Sequence, residues 1–324
     1  MAPNRPFPID ATLTAIAIGY RNPAHTFIAS RVLPALQVLS EQFKWQEYPL
    51  TEGFELVDTR VGRKGRPNQV EFTVTEKDGS TLDHGLDDAI PYSDIRQASQ
   101  ARAEKRSTFD PRETAVEGLT NYLTIAREVR VATLVQDAAN YAADKKLTLA
   151  GNDQFSAFAT SDPYGVIDDG MEKTLVYRPN TIAMGQPVWS KLKRHPKLIK
   201  AIKGGLSEDG AITRQQFADL FEIPLTGLLI GEARLNTAKK GQAPALSRIW
   251  GNHIELLYLD SSKATTKDGK ISFGFTAEYG NKISGSIEDK DIGLEGGERV
   301  RVGEKTGEFV CAKDVGYQIR NAIA

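Results

Sequence analysis

Alternation of apolar and polar positions marks two stretches between residues 54 and 75. The stretch "FELVDTRVG" alternates from Phe54, and Val70, Phe72 and Val74 alternate with Glu71, Thr73 and Thr75. Period two places the apolar side chains on one face of a strand. The following "EKDGS" holds Asp78-Gly79, a two-residue hairpin-turn signal. The pattern predicts a long hairpin, and a strand of about 10 residues at 3.3 Å per residue carries its tip ~33 Å from its base. Two strands alone are marginal in water. The flanking sequence shows no helical pattern to cover them, so the apolar face of this ribbon needs another surface.

Helical spacing takes over at "FDPRETAVEGLTNYLTIAREVRVATLVQDAANYAADKK". Asp110 stands at the N-cap, Pro111 at the first helical position and Glu113 three residues after the cap. Val116, Leu119, Leu123, Ala126, Val129 and Ala139 mark one face. About 34 residues at 1.5 Å each predict a rod of roughly 50 Å. No second pattern of that length exists to pair with it in a bundle. Downstream, "TLVYRPNTIAMGQ" reads as a strand entering a turn. "PVWSKLKRHPKLIKAIKGG" reads as a helix from Pro187 that kinks or restarts at Pro196, burying Val188, Trp189, Leu192, Leu198, Ile199 and Ile202. Thr213 and Gln216 frame a capped helix, "TRQQFADLFEI". "LTGLLIGEARLN" and "RIWGNHIELLYLD" read as strands, and from Lys270 onward short strands alternate with glycine. The first fifty residues, punctuated by Pro3, Pro6, Pro8, Pro23 and Pro34, read as an extended or loosely helical arm that needs a surface to lie on. There is no internal repeat and no low-complexity tract. The fold class is α+β.

A chain of 324 residues holds one large domain or two modest ones. Its 40% hydrophobic and 26% charged residues are ordinary for a folded soluble protein. A formal net charge of −1 means that any nucleic-acid contact must come from a local basic patch. One cysteine, Cys311, excludes an internal disulfide framework and a cysteine-rich zinc site. Its strand-like context, "GEFVCAKD", predicts a buried, inert thiol. No apolar run approaches the ~18 residues of a membrane span. The short apolar stretch near the start is approached through prolines and Asp10, which reads as a mature arm rather than a signal segment.

The search for chemistry finds no phosphate loop, no dinucleotide fingerprint after a strand, no HExxH and no GxSxG. "GRKGRPN" has glycines and cations outside any strand-to-helix context. None of His25, His84, His195 and His253 is paired with another at metal spacing. Asp83, Asp87 and Asp88 flank His84, a set that could hold a divalent cation or serve a hydrolase, or simply form an acidic turn at the hairpin base. His253 reads as a packed strand residue. Lys191, Lys193, Arg194, His195, Lys197, Lys200 and Lys203 form a basic helix. It could bind phosphates as a DNA-binding module would, although no aromatic is interleaved on its charged side. A solvated or subunit-facing helix is the preferred reading. No catalytic, cofactor-binding or metal-ligating residue is assigned.

The order of elements (arm, long hairpin, long capped helix, mixed module) resembles that of tailed-bacteriophage major capsid proteins with the Hong Kong-type capsid fold. The stretch "NTIAMGQPVWSKLKRHPKLIKAIKG" is similar to that family's N-T-hydrophobic strand, turn, and Pro- and Trp-containing helix followed by H-P. "LLIGEARLNTAKKGQ" with "SRIWGNHIELLYLD", and the closing "GYQIRNAI", resemble later parts of it. The resemblance implies an N-terminal arm at 1–48 that clasps a neighbour. It implies an extended hairpin loop at 49–98 lying over a neighbouring subunit. A peripheral domain with a spine helix would comprise 99–178 and 263–313, and an axial domain 179–262 and 314–324. It implies a shell of hexamers and pentamers enclosing phage DNA, located in the virion and assembled in the host cytoplasm, with no cofactor and no membrane. Portal and scaffolding proteins, a decoration protein and non-specific contacts with packaged DNA are the implied partners. Because the sequence starts directly with the arm, scaffolding is expected from a separate protein or a trimmed precursor. Arg60, Arg63, Lys64, Arg66, Glu76, Lys77 and Asp78 would form charge pairs across subunits. Some relatives crosslink a lysine to an asparagine between subunits. Lys64 and Lys77 lie on the proposed loop, but no acceptor or activating carboxylate matches by motif. An encapsulin-like compartment shell would share the fold. A hydrolase using Asp83, His84 and Asp87, or a nucleic-acid-binding protein using the basic helix, are the readings from other classes.

Overall fold

The structure, a computed structural model, describes residues 21–47, 54, 56–71, 73, 75–174, 177–204, 210–239, 241–260 and 271–324. The first part holds helix α1 (Ala29–Val32) and strands β1 (Ala35–Val38), β2 (Gln42–Glu47), β3 (Thr75–Ser80) and β4 (Leu82–Pro91). Helices α2 (Tyr92–Ala103) and α3 (Pro111–Gln136) follow, then β5 (Lys146–Thr148), α4 (Pro163–Lys173) and β6 (Thr181–Gly185). Next come α5 (Gln186–Leu192), α6 (Pro196–Lys203) and α7 (Arg214–Leu220), with strands β7 (Leu228–Gly231), β8 (Arg234–Asn236), β9 (Leu246–Arg248) and β10 (Ile254–Leu257). The chain closes with β11 (Gly274–Tyr279), β12 (Ile283–Asp289), β13 (Gly297–Val310) and β14 (Gly316–Arg320).

Two sheets organise these elements. The first has the order β1-β11-β13-β12, with β4 also paired to β13. The second has the order β5-β14-β10-β6-β7. Helix α3 serves both. Its first half packs Ala115, Leu119 and Leu123 on Ile90, Val300 and Val302 of the first sheet. Its second half packs Val131, Ala132 and Val135 with Ala183, Leu229, Trp250 and Leu257 against the second sheet. The opposite face of the second sheet is covered by α4 to α7 around Phe155, Ile167, Met171, Trp189, Phe217 and Phe221. Burying each such large apolar side chain contributes about 1.5–3 kcal/mol. The helix is therefore the beam on which both lobes are hung.

Helix α3 starts as the sequence predicts. The Asp110 carboxylate accepts from the Arg112 amide at 2.9 Å, with Pro111 in the first turn. It ends earlier: 26 residues, about 39 Å at 1.5 Å per residue, rather than 34. Asp137 turns extended and caps the next short turn by accepting from the Ala139 amide at 3.0 Å. Asn140 Nδ2 and the Tyr141 hydroxyl then donate to the carbonyls of Leu134 and Val135 left over at the helix end, at 2.7 and 2.8 Å. The predicted face also shifts. Leu119 and Leu123 are buried, but Ala126 is exposed and Ala139 lies beyond the helix. Changing partner from one sheet to the other rotates the buried stripe around the axis.

Further expectations differ from the structure. Asp78-Gly79 is not a turn: both residues lie inside β3, paired antiparallel with β2. Gly79 is there for packing, because a Cβ would come within 2.7 Å of the Phe43 ring and 2.8 Å of the Trp45 ring. The "DHGLDD" stretch is not an acidic turn but the middle of β4, paired with β13 from Pro91↔Gly297 to Leu82↔Thr306. The arm is only partly an arm. Residues 1–20 lie outside the described residues, but Ile28, Val32, Leu33 and Leu36 are buried in this chain's own cores, and β1 pairs in parallel with β11. Residues 146–173, assigned by sequence to the peripheral domain, pack on the second sheet, since β5 pairs with β14 and Ile167 and Met171 of α4 join that sheet's core. Two local predictions hold: the basic helix restarts at Pro196, and Thr213 with Gln216 makes a reciprocal capping box. Among the described residues no helix is long and apolar enough to cross a membrane.

Candidate intersubunit surfaces

The segment between β2 and β3 projects from a stem that is built locally. Phe43 and Trp45 of β2 lie on Phe309, with ring centroids 5.5 and 5.3 Å away, and Phe275 completes the cluster. On the other face of β2, Lys44 reaches across to Glu76 at 3.0 Å and Asp78 at 3.8 Å. Those two carboxylates are therefore engaged inside the chain, and Lys77 sits opposite Trp45 on the same ladder. Beyond the stem, the described residues 56–71 carry no strand. Their turn is Gly62–Gly65, closed by the Gly65 amide donating to the Gly62 carbonyl at 2.8 Å. Asn68 Nδ2 donates to the Asp58 carbonyl at 2.7 Å, tying the outgoing and returning segments together. Arg60, Arg63, Lys64 and Arg66 surround this turn, all exposed. Leu56, Val61 and Val70 are exposed with them. Phe72 and Val74, predicted to alternate on the hairpin, lie outside the described residues.

The carboxylates around His84 do not converge. Strand alternation sends Asp83 and Asp87 to one face of β4 and His84 to the other. Asp87 takes a two-point contact from Arg301, 2.7 Å at each oxygen, which holds its carboxyl below the usual range. Asp83 lies 3.4 Å from Lys305. His84 is half-buried opposite Glu304, and burial together with the Arg130 cation lowers its pKa. Among the described residues no group of three potential ligands could hold a metal ion.

The basic helix also divides. His195 is fully buried as the N-cap of α6: Nδ1 accepts from the Lys197 amide at 3.3 Å and Nε2 lies 3.0 Å from the Ser161 hydroxyl. Burial lowers its pKa to about 4. Lys191 lies over the Phe158 ring, an aromatic partner that the helix's own sequence does not contain, and Lys197 is 3.9 Å from Asp162. His253 is half-buried and its Nδ1 accepts from the Asn321 amide at 3.0 Å, so it ties β10 to the C-terminus as a packed residue. His25 lies in a short 3-10 turn on the surface. Cys311 is half-buried beside the Phe275 and Phe309 rings rather than fully buried.

One buried residue has no counterpart in the sequence reading. Glu128 of α3, 1% exposed, accepts from the amides of Ile28 and Ala29, each at 2.9 Å, and from Trp250 Nε1 at 2.6 Å. It fastens the entering chain and the second lobe to the same turn of the spine. Burial raises its pKa, and the three donors pull it back. The signal available in sequence was only a lone acid in an otherwise apolar helical stripe.

This architecture has clear relatives. The chain is 43% identical over 321 residues, 99% of both chains, to the major capsid protein of Pseudomonas phage JBD67. It is 30% identical over 318 residues, 96% of this chain and 95% of the other, to that of Burkholderia phage BcepMu. The chain belongs to the phage major capsid proteins. No family model matches it. Among solved structures, a phage-related protein from Bordetella bronchiseptica superposes with a TM-score of 0.68 at 23% identity, covering 97% of each chain. The capsid of cyanophage P-SCSP1u gives 0.58 at 12% identity, covering 94% of this chain and 89% of that one. These likenesses establish the Hong Kong-type capsid fold, and the full-length relatives make this major capsid protein a component of the virion shell.

Proposed function

We propose that this major capsid protein closes into a head shell of pentamers and hexamers around phage DNA, each copy's extended loop lying over its neighbour. Full-length identity to a capsid protein at 43% carries the reading. The loop supports it: a projecting segment with exposed Leu56, Val61 and Val70 is a liability on a lone molecule and an asset in a repeated contact. Many modest contacts, closed around symmetry axes, hold a shell by multivalency. The peripheral domain is the first sheet with the spine helix. The axial domain is the second sheet with α4 to α7, which moves residues 146–173 into it. The cations of the loop tip pair across copies, whereas Glu76 and Asp78 steady the stem through Lys44. Assembly in the host cytoplasm draws on portal and scaffolding proteins and a decoration protein, and packaged DNA is contacted without sequence preference.

Negative-stain microscopy of particles purified from expressing cells tests this. Uniform closed particles, or rings of five and six, are the expected result. Scattered single chains across a range of salt and with cognate phage proteins co-expressed would overturn it. An encapsulin-like compartment would use the same fold, and a packaged enzyme in place of DNA inside native particles is the result that would favour it.

A further inference from the structure

Strands β4 and β12 run along opposite sides of β13, and among the described residues neither pairs with a strand on its outer side. An open strand edge is a row of unpaired amides and carbonyls, which folded proteins protect with charge or proline. β4 is protected in this way: it carries Asp83, Asp87 and Asp88 and ends at Pro91. β12 is not. From Ile283 to Ile287 it reads Ile-Ser-Gly-Ser-Ile, with no charge and no proline, and every residue of that run is exposed. Ile283 and Ile287 are 53% and 62% exposed. They pair with Gly303 and Arg299 on the face of the sheet turned away from α3, whereas Ser284 and Ser286 lie beside Val302 and Val300 on the α3 side. Lys282 precedes the run and Glu288 follows it, both exposed.

We infer that the open edge of β12 pairs antiparallel with the β12 edge of a second copy, about a twofold axis through Gly285. The strand is its own antiparallel complement. Reversed about Gly285, it sets Ile283 opposite Ile287 of the second copy, Ser284 opposite Ser286 and Lys282 opposite Glu288, and the symmetry makes each pair twice. Sliding the register by two residues keeps the faces but loses the match. One slide sets Ile287 opposite Asn281, and the other sets Ile283 opposite Asp289 and Lys282 opposite Lys290. Apolar, hydroxyl and charge complementarity together therefore select a second copy of this strand as the occupant. Lys282 also lies 3.6 Å from Glu304, and Glu288 bonds the Tyr92 side chain, yet both charged side chains stay exposed and can reach across the axis. The inference rests on the proposed shell reading only for its place in the particle. Neighbours around a fivefold or sixfold axis meet through two different patches, so a patch that meets itself joins copies of adjacent rings.

Cysteine trapping tests the pairing, in assembled particles of a chain that carries Cys311→Ser. A residue on the axis faces its own counterpart at a Cα separation of about 4.5–5.5 Å, within the roughly 4.4–6.8 Å that a disulfide spans. A Cβ at Gly285 has nothing within 4 Å, so Gly285→Cys fits the fold. On oxidation it should give covalent dimers and no larger product. Ile283→Cys combined with Ile287→Cys should also give dimers. Either alone should not, because like positions then lie about 13 Å apart, four residues at about 3.3 Å each. Independently, Lys282→Glu should raise the concentration needed for closed particles roughly tenfold, and adding Glu288→Lys should restore it. Circular dichroism of each variant separates lost pairing from lost folding. Closed particles in which neither Gly285→Cys nor the isoleucine pair traps a dimer overturn the pairing and leave the shell reading standing. Dimers from Ile283→Cys alone overturn it as well. Dimers trapped by Gly285→Cys in a chain that never closes into particles uphold the pairing and overturn the shell reading.

Discussion

Replacing Glu128 by alanine should loosen both lobes at once. The side chain is 1% exposed, and its removal strands three buried donors: the amides of Ile28 and Ala29 and the indole of Trp250. Each buried donor left without an acceptor costs about 1–3 kcal/mol, so the loss is at least about 3 kcal/mol. With an unfolding entropy of roughly 2.1 cal/mol/K per residue, a chain of 324 residues unfolding as a unit should melt about 4 °C lower or more. Glutamine is no rescue here. Its amide offers one oxygen and places an NH₂ against backbone N–H groups, so Glu128→Gln should fall most of the way. Trp250→Phe removes one donor and keeps the carboxylate on the other two, so it should cost less, and the double variant should cost less than the sum of the singles. Calorimetry of wild-type and variant particles at equal concentration reads all of these. A Glu128→Ala melt within about 1 °C of wild type, or strict additivity with Trp250→Phe, would refute the hub.

Other outcomes are equally direct. Glu255 of β10 is fully buried opposite Gln318 of β14, and burial pushes its pKa well above the usual 4.5. A carboxyl that is neutral when folded and ionised when unfolded contributes stability that is present below pH about 4.5 and is lost as pH rises toward its folded pKa. Glu255→Gln should therefore melt increasingly above wild type as pH rises from about 5 to about 8, and a constant difference would sink the assignment. Gly231→Ala puts a Cβ 2.1 Å from the Trp250 ring, and overpacking of about 1–3 kcal/mol should lower the melt or the soluble yield, whereas Gly118→Ala, with nothing within 4 Å, should be tolerated. His84→Ala should leave particle formation intact in microscopy, because His84 and the carboxylates Asp83 and Asp87 occupy opposite faces of β4; loss of particles from a folded variant would contradict this.

What could be read from the chain was decided over a few residues. The Asp110 cap, the restart at Pro196 and the Thr213–Gln216 box each depend on groups two to four positions apart. The family likeness rested on short stretches in a fixed order, and the cations of the loop tip were visible as composition. The hairpin register was not, because Asp78-Gly79 has the chemistry of a turn and becomes strand only where the Phe43 and Trp45 rings press on Gly79. Charge pairing was equally hidden: Asp87 is neutralised by an arginine 214 positions away.

Neighbouring residues set where helices begin and restart, and short ordered stretches carry the family likeness. Which strands pair, where the long helix changes partner and which charges meet is settled only in the folded chain. The difference is one of range. Caps and turns close hydrogen bonds between near neighbours, whereas strand pairing, burial and neutralisation are set by side chains brought together from remote parts of the chain.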